Sequence, residues 1–315
     1  MKRKIQLIAG TTYSITLPKE WIKKNNLKEK NELNLQETNN GTIILSPEVL
    51  KETGINEIVL DIKDYLENID QVLFALYYLG IEKIEIFSKE NIPKEIKIKI
   101  RKTFSHMSGS EISYEDEKKI ILRILIDKTK INLKQVIHRI ILVLDLSMQN
   151  ILEELDKREI RINEDEIDRL YHLAAKTITL SLVDYKVLHS SEIHNILLIP
   201  SYFLVCKKLE NIGDNINHLS THMLSKKTNV RPYKEYVQFF RQELSRVIKH
   251  ILNNYPNIFT KVSDKERKII KDKIFQIDDK IISDYLKEIL RYIRDIEDEL
   301  IQISYNQKLI EEKKI

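Results

Sequence analysis

The chain has 315 residues, 42% of them apolar and 32% charged, with a formal net charge of +4. That length accommodates two or three domains, and the balance is too apolar for a disordered chain and too charged for a membrane-embedded one. A lone cysteine, Cys206, excludes an internal disulfide framework and a cysteine-rich zinc site.

Cys206 lies in an apolar run, which predicts a buried structural thiol. Six glycines and six prolines in the whole chain predict long regular elements, mostly helices. The best candidate among the uncharged stretches, Ile193–Cys206, contains His194 and Pro200 and is shorter than the ~20 residues of a spanning helix. Met1-Lys-Arg-Lys-Ile has a basic tip with no apolar region after it, so it does not read as a signal peptide. The expectation is a cytoplasmic protein without membrane insertion.

In residues 1–30, Lys2, Arg3, Lys4, Lys19, Lys23, Lys24, Lys28 and Lys30 stand against Glu20 and Glu29. That surplus exceeds the net charge of the whole chain, so the basic excess belongs to one end. Residues 1–50 predict short strands and one small helix. Lys4–Ile8 and Tyr13–Leu17 alternate around a Gly10-Thr-Thr turn. Pro18 suits a first helical turn, where its missing N–H has no partner to lose, and Lys19–Asn25 follows as a short helix. Glu32–Gln36 and Thr42–Leu45 flank Asn39-Asn-Gly41, a hairpin-turn signal. Fifty residues of short strands bury little alone, which predicts a homodimer through this segment.

Residues 55–127 alternate in type. The strands expected are Ile58–Ile62, Ile84–Phe87, Glu111–Tyr114 and Ile120–Ile126, the last two joined through Glu115-Asp-Glu-Lys. The helices expected are Leu66–Leu79, ended by Gly80, and Lys94–His106, opened by Pro93. This β-α-β-α-β-β order predicts a small α/β sandwich, a parallel pair of strands with an added hairpin. No Gly-rich phosphate loop follows either first strand, so nothing supports nucleotide binding there.

Residues 128–315 predict helices throughout. Ile131–Leu155 carries a 3.6-period apolar stripe. Asn163 is the expected cap of a second helix, to about Leu188, and Ser190 or Ser191 that of a third, to about Leu224, kinked at Pro200. After Arg231-Pro232, Ser263-Asp-Lys-Glu266 forms a capping box and a long charged helix ends the chain. The reading is two successive three-helix units, residues 130–228 and 231–315.

Two ladders stand out. Glu210, Asp214 and His218 are spaced by four, as are Glu164, Asp168 and His172, so each set shares a helix face. Folding the helices back at residues 190–192 sets Asp168 level with Asp214, Glu164 with His218 and His172 with Glu210. Four carboxylates and two imidazoles at one level suit iron, manganese or zinc, and Mg²⁺ through the carboxylates alone. The other reading of the same residues is two solvated faces, or a stripe neutralised by Lys207, Lys208 and Arg169.

Gly10–Trp21, GTTYSITLPKEW, with Leu33-Asn-Leu and Thr42-Ile-Ile-Leu, resembles the AbrB/SpoVT/MazE swapped-hairpin family. The resemblance implies an interlaced β dimer in which Lys2, Arg3, Lys4, Lys19, Lys23 and Lys24 contact double-stranded DNA; ordinary surface lysines are the other reading. Such phosphate contacts position a protein without reading sequence. Residues 130–315 are similar to PhoU, the phosphate-uptake regulator of two three-helix bundles. Its E-R-I-G-D-H signature keeps both acids and the glycine in Glu210-Asn-Ile-Gly-Asp214 and loses the arginine and histidine to Asn211 and Asn215. In the second bundle Arg294 stands where the signature has glutamate, and Asp298 survives. The expected fold class is therefore multidomain: an N-terminal swapped-hairpin β domain (1–50), a middle α/β sandwich (55–127) and a C-terminal all-α PhoU-like pair of three-helix bundles.

These resemblances imply a DNA-binding transcriptional regulator of phosphate uptake whose helical region senses a metal or a partner. The alternative is an adaptor that does not bind DNA and restrains a phosphate transporter or a sensor kinase by contact. An enzyme is not expected. Di-iron bundles use Glu-x-x-His, which neither ladder has, and no nucleophile stands beside a base at a readable spacing.

Overall fold

A computed structural model describes residues 2–37, 43–47, 56–153, 155–193, 195–254 and 257–312. The chain divides into two compact units, Met1–Ile55 and Asn56–Ile315. The Asn39-Asn-Gly41 turn, Thr42 and His194 lie outside the described residues.

The first unit contains two antiparallel hairpins and one helix. β1 (Gln6–Ile8) pairs with β2 (Thr12–Ser14), and β3 (Leu33–Glu37) pairs with β4 (Ile43–Pro47). Between them α1 (Lys19–Lys24) starts at Lys19, as the sequence suggests, with Pro18 as its extended N-cap residue. α1 has no buried residue, and Ile5, Leu7, Ile8, Tyr13, Ile15, Leu35 and Ile43 are all exposed. A single copy of this unit therefore leaves these seven large apolar side chains in water.

The second unit begins with a four-stranded sheet. β5 (Glu57–Asp61) runs parallel to β6 (Lys83–Phe87), and β8 (Lys119–Ile124) pairs antiparallel with both β6 and β7 (Ser110–Glu115). The order β5-β6-β8-β7 is the expected parallel pair with an added hairpin. Alternation along β6 and β8 turns Ile84, Ile86, Ile120, Leu122 and Ile124 into one core. Two helices cover that face: α2 (Ile69–Tyr78) with Leu73 and Tyr77, and α3 (Lys94–Ser105) with Ile100 and Phe104. Pro93 precedes α3 as its cap. The turn from α3 into β7 passes through Gly109 at φ +70°, where an added Cβ would lie 2.4 Å from Ile126 Cβ.

A second core runs from Ile131 to Ile303 through the remaining helices. α4 (Leu133–Leu152) packs on α5 (Lys157–Ser181), and both pack on α7 (Ile199–Lys226), with the short α6 (Tyr185–Ser190) between α5 and α7 in the chain. α8 (Lys234–Leu252) lies against α4, and α10 (Lys280–Glu312) lies against α7, α8 and α9 (Asp264–Phe275). Ser263 caps α9 by accepting from Glu266 N, as the capping box predicts.

Three local expectations are corrected. α5 starts at Lys157, because the Asp156 carboxylate accepts from Arg158 N and Glu159 N, so Asn163 sits mid-helix. The chain breaks at Leu182 and restarts as α6 under an Asp184 cap, and Ser191 ends α6 rather than starting the next helix. Pro200 stands in the first turn of α7, where it opens the helix without kinking it. Cys206 is buried as expected, and burial pushes its thiol up to about 12.

Candidate metal centre

The site lies where α5 meets α7. Leu209, Ile212, Gly213 and Ile216 form the buried face of α7, and Ile167 the facing part of α5. At Gly213 an added Cβ would stand 3.1 Å from both Ile167 Cδ1 and Cγ2 and 3.6 Å from Leu144 Cδ2. Its missing side chain lets α7 approach α5 and α4 closely, which carries the flanking acids toward one another.

Asp168, Glu210 and Asp214 converge, each offering one carboxylate oxygen within 4.8 Å of the other two. They are half-buried, and their electrostatics follow. Burial, reinforced by Asp214, Glu210, Glu164 and Asp165, pushes Asp168 up to about 7. Burial also raises Glu210 and Asp214, against the pull of Lys207. Lys207 Nζ lies 2.6 Å from Glu210 Oε2, so one neighbouring cation partly offsets the cluster.

Glu164 sits beside this group. Burial raises its carboxyl, with Asp214 and Asp165 adding, while a hydrogen bond with Asn217 and the nearby His218 oppose. His218 stacks on Tyr285 of α10, ring centroids 5.8 Å apart. His172 turns away, toward α2. Its ring stacks on Phe74 at 3.8 Å, and its Nδ1 is hydrogen-bonded to the Tyr78 hydroxyl. Burial, with His106 and Lys207, pushes His172 down to about 3, so the ring is neutral near physiological pH. Burial raises Tyr78, so its hydroxyl keeps the proton, and the tautomer of the neutral ring sets which of the two partners donates.

Of the six ladder residues, the structure joins Asp168, Glu210 and Asp214, sets Glu164 next to them, and places both imidazoles outside the three-carboxylate group. Among the described residues that group is the one set of three or more His, Cys, Asp or Glu with ligand spacing. Three converging carboxylate oxygens fit a hard cation such as Mg²⁺ or Mn²⁺ better than zinc, which favours nitrogen and sulfur. The corresponding acids on α10 are paired with the chain's own cations. Lys261 bonds Asp298, Arg267 bonds Glu297, and Lys208 lies 2.8 Å from Asp295. Phe74 and Tyr78 went unnoticed in the sequence, because nothing local links them to a histidine about a hundred residues later.

In the N-terminal unit Lys2, Arg3, Lys4, Lys19, Lys23 and Lys24 are all exposed. Lys19 and Lys23 are one helical turn apart on α1, with Lys24 adjacent. Residues 6–53 match the family model described as antidote-toxin recognition MazE, bacterial antitoxin. The N-terminal unit carries a MazE/AbrB-like domain. No curated protein and no solved structure matches the chain. No described helix is long and apolar enough to cross a membrane.

Proposed function

We propose that this chain is a homodimeric DNA-binding regulator of phosphate uptake, with a metal- or partner-sensing helical region. The observation that carries the reading is the MazE/AbrB-like match over residues 6–53, on a unit that exposes six basic side chains. The same unit leaves Tyr13 73% and Leu35 65% exposed, and a second copy interlaced with the first would cover such residues. In this reading residues 1–50 dimerise and bind DNA, and residues 55–127 form a spacer of their own core. Residues 130–228 and 231–315 form the two PhoU-like bundles. The phosphate role rests on the PhoU-like pattern of Glu210-Asn-Ile-Gly-Asp214. The carboxylates Asp168, Glu210 and Asp214 would hold a divalent cation, whose charge would relieve their mutual repulsion. In this reading the protein acts by binding rather than by chemistry on a substrate.

The test is fluorescence anisotropy on duplex DNA over a range of salt. Counterion release predicts a loss of affinity on the order of a thousandfold between about 50 and 200 mM salt. The Lys19→Ala, Lys23→Ala, Lys24→Ala variant should bind weakly and show a shallower salt slope. Absence of binding at low salt rejects the DNA half of the proposal. One observation favours a second reading as a protein adaptor: the matching family is described by antidote-toxin recognition. Phosphate control that persists in the triple-lysine variant would favour the adaptor.

A further inference from the structure

Outside the α5–α7 site, a pair of acids is buried where α8 meets α10. Glu243 of α8 has a side chain 7% exposed, and Glu297 of α10 is fully buried. Two arginines hold one oxygen of each. Arg246 Nη1 lies 2.5 Å from Glu243 Oε2, and Arg267 of α9 bonds Glu297 Oε2. Arg246 also donates to the Thr260 carbonyl, so its position is fixed from a second side. Glu297 Oε1 is buried and has no hydrogen-bond partner, yet Glu243 lies within hydrogen-bonding reach of Glu297.

A buried carboxylate oxygen without a donor is costly. Both neighbouring guanidinium groups are engaged elsewhere on the pair, and a second carboxylate cannot donate unless it is protonated. We propose that Glu243 and Glu297 form one proton-binding site, in which a proton on Glu243 bridges to Glu297 Oε1 and ties α8 to α10. Burial pushes Glu243 up to about 7, with Glu297 adding and Arg246 opposing, so the proton is exchanged near neutral pH. Glu243 and Arg246 also line a surface groove with Lys261, Ser263 and Glu266, which gives the pair a route to solvent.

The surrounding charges are otherwise committed. Lys261 bonds Asp298, and Glu266 accepts from the Ser263 hydroxyl. His250, two turns further along α8, packs edge-on against Phe259, and burial lowers its pKa. The stabilisation by the shared proton is complete below 4.5, the ordinary glutamate value, and is lost as pH rises through about 7. The site therefore tightens the α8–α10 contact in mild acid and loosens it above neutrality.

The experiment is a carboxyl ¹³C NMR titration of the full chain labelled at glutamate, with urea unfolding followed across the same pH range. Glu243 should titrate near neutrality, and Glu297→Gln, which removes the like charge, should lower that midpoint by about one pH unit. Glu243→Gln supplies a permanent N–H donor to Glu297 Oε1. Its urea midpoint should fall less than the wild type's between mild acid and neutrality. Asp168 titrates in the same window, so the readout is the difference between the two curves. A Glu243 titration in the ordinary carboxylate range overturns the proposal, as do identical pH slopes for wild type and Glu243→Gln. Should Glu243→Gln fail to fold, the wild-type titration decides alone.

Discussion

Asp168→Asn separates a site built to bind a cation from one that merely tolerates its acids. The carboxyl is held at about 7 against an ordinary value of 3.8, chiefly by burial and then by Asp214, Glu210 and Glu164. A raised folded value means that the stabilisation present below 3.8 is lost as pH rises through about 7. Taken whole, the shift is worth about 4 kcal/mol at roughly 1.36 kcal/mol per unit. Solvent screening of this half-buried side chain reduces that to about 1–2 kcal/mol. The neutral, nearly isosteric asparagine escapes the cost, so at pH 8 the metal-free variant should be more stable than wild type, by about 2–6 °C in Tm. At pH 5 folded Asp168 is protonated, and the gain should shrink to less than half. Mn²⁺ should invert the ranking at pH 8, raising the wild-type Tm more than the variant's, because an ionised carboxylate is the better ligand. Thermal unfolding followed by circular dichroism, with and without Mn²⁺, reads all of this. An Asp168→Asn protein less stable than wild type at pH 8 without metal would refute the electrostatic reasoning. So would a gain at pH 5 as large as at pH 8.

Tyr78→Phe removes the hydrogen-bond partner of His172 Nδ1 and should cost about 1–3 kcal/mol in urea unfolding, the penalty of an unpaired buried group. In wild type the His172 ring, held down at about 3, should show no NMR titration above pH 5. Its contribution is present above 6.5 and is lost as pH falls toward about 3. Gly109→Ala places a Cβ against Ile126 in a left-handed conformation. It should destabilise the sheet region by about 2–5 kcal/mol, and a loss under about 1 kcal/mol in denaturant unfolding would contradict that packing. Leu35→Glu alters a side chain that is 65% exposed in the single chain. Sedimentation should show a shift from dimer to monomer, and an unchanged mass removes that face from the dimer contact.

The α/β region was legible because its signals are local. Alternation in Lys83–Phe87, Pro93 before a helix and Gly80 after one each act within a few residues, and the parallel pair with an added hairpin followed from them, while the strand order itself came from the structure. The helical region was legible in content but less so in its breaks. Asp156 and Asp184 won the capping positions that Asn163 and Ser190 or Ser191 also fitted. A polar residue caps only where the chain leaves the helix, and packing of the neighbouring helices decides that place.

The sequence by itself determined that Glu164, Asp168 and His172 share one helix face and Glu210, Asp214 and His218 another, because a spacing of four is fixed by the helical repeat. It also determined that the basic surplus lies at the N-terminal end and that the chain's own cations stand near its acids. Tertiary structure alone decided which members of each ladder meet. Close approach at Gly213 brings Asp168, Glu210 and Asp214 together, while Phe74 and Tyr78 on α2 take His172 for the interior. Spacing fixes a face to within a side chain's width, but the rotation of one helix against two neighbours decides whether a histidine points at carboxylates or at a tyrosine.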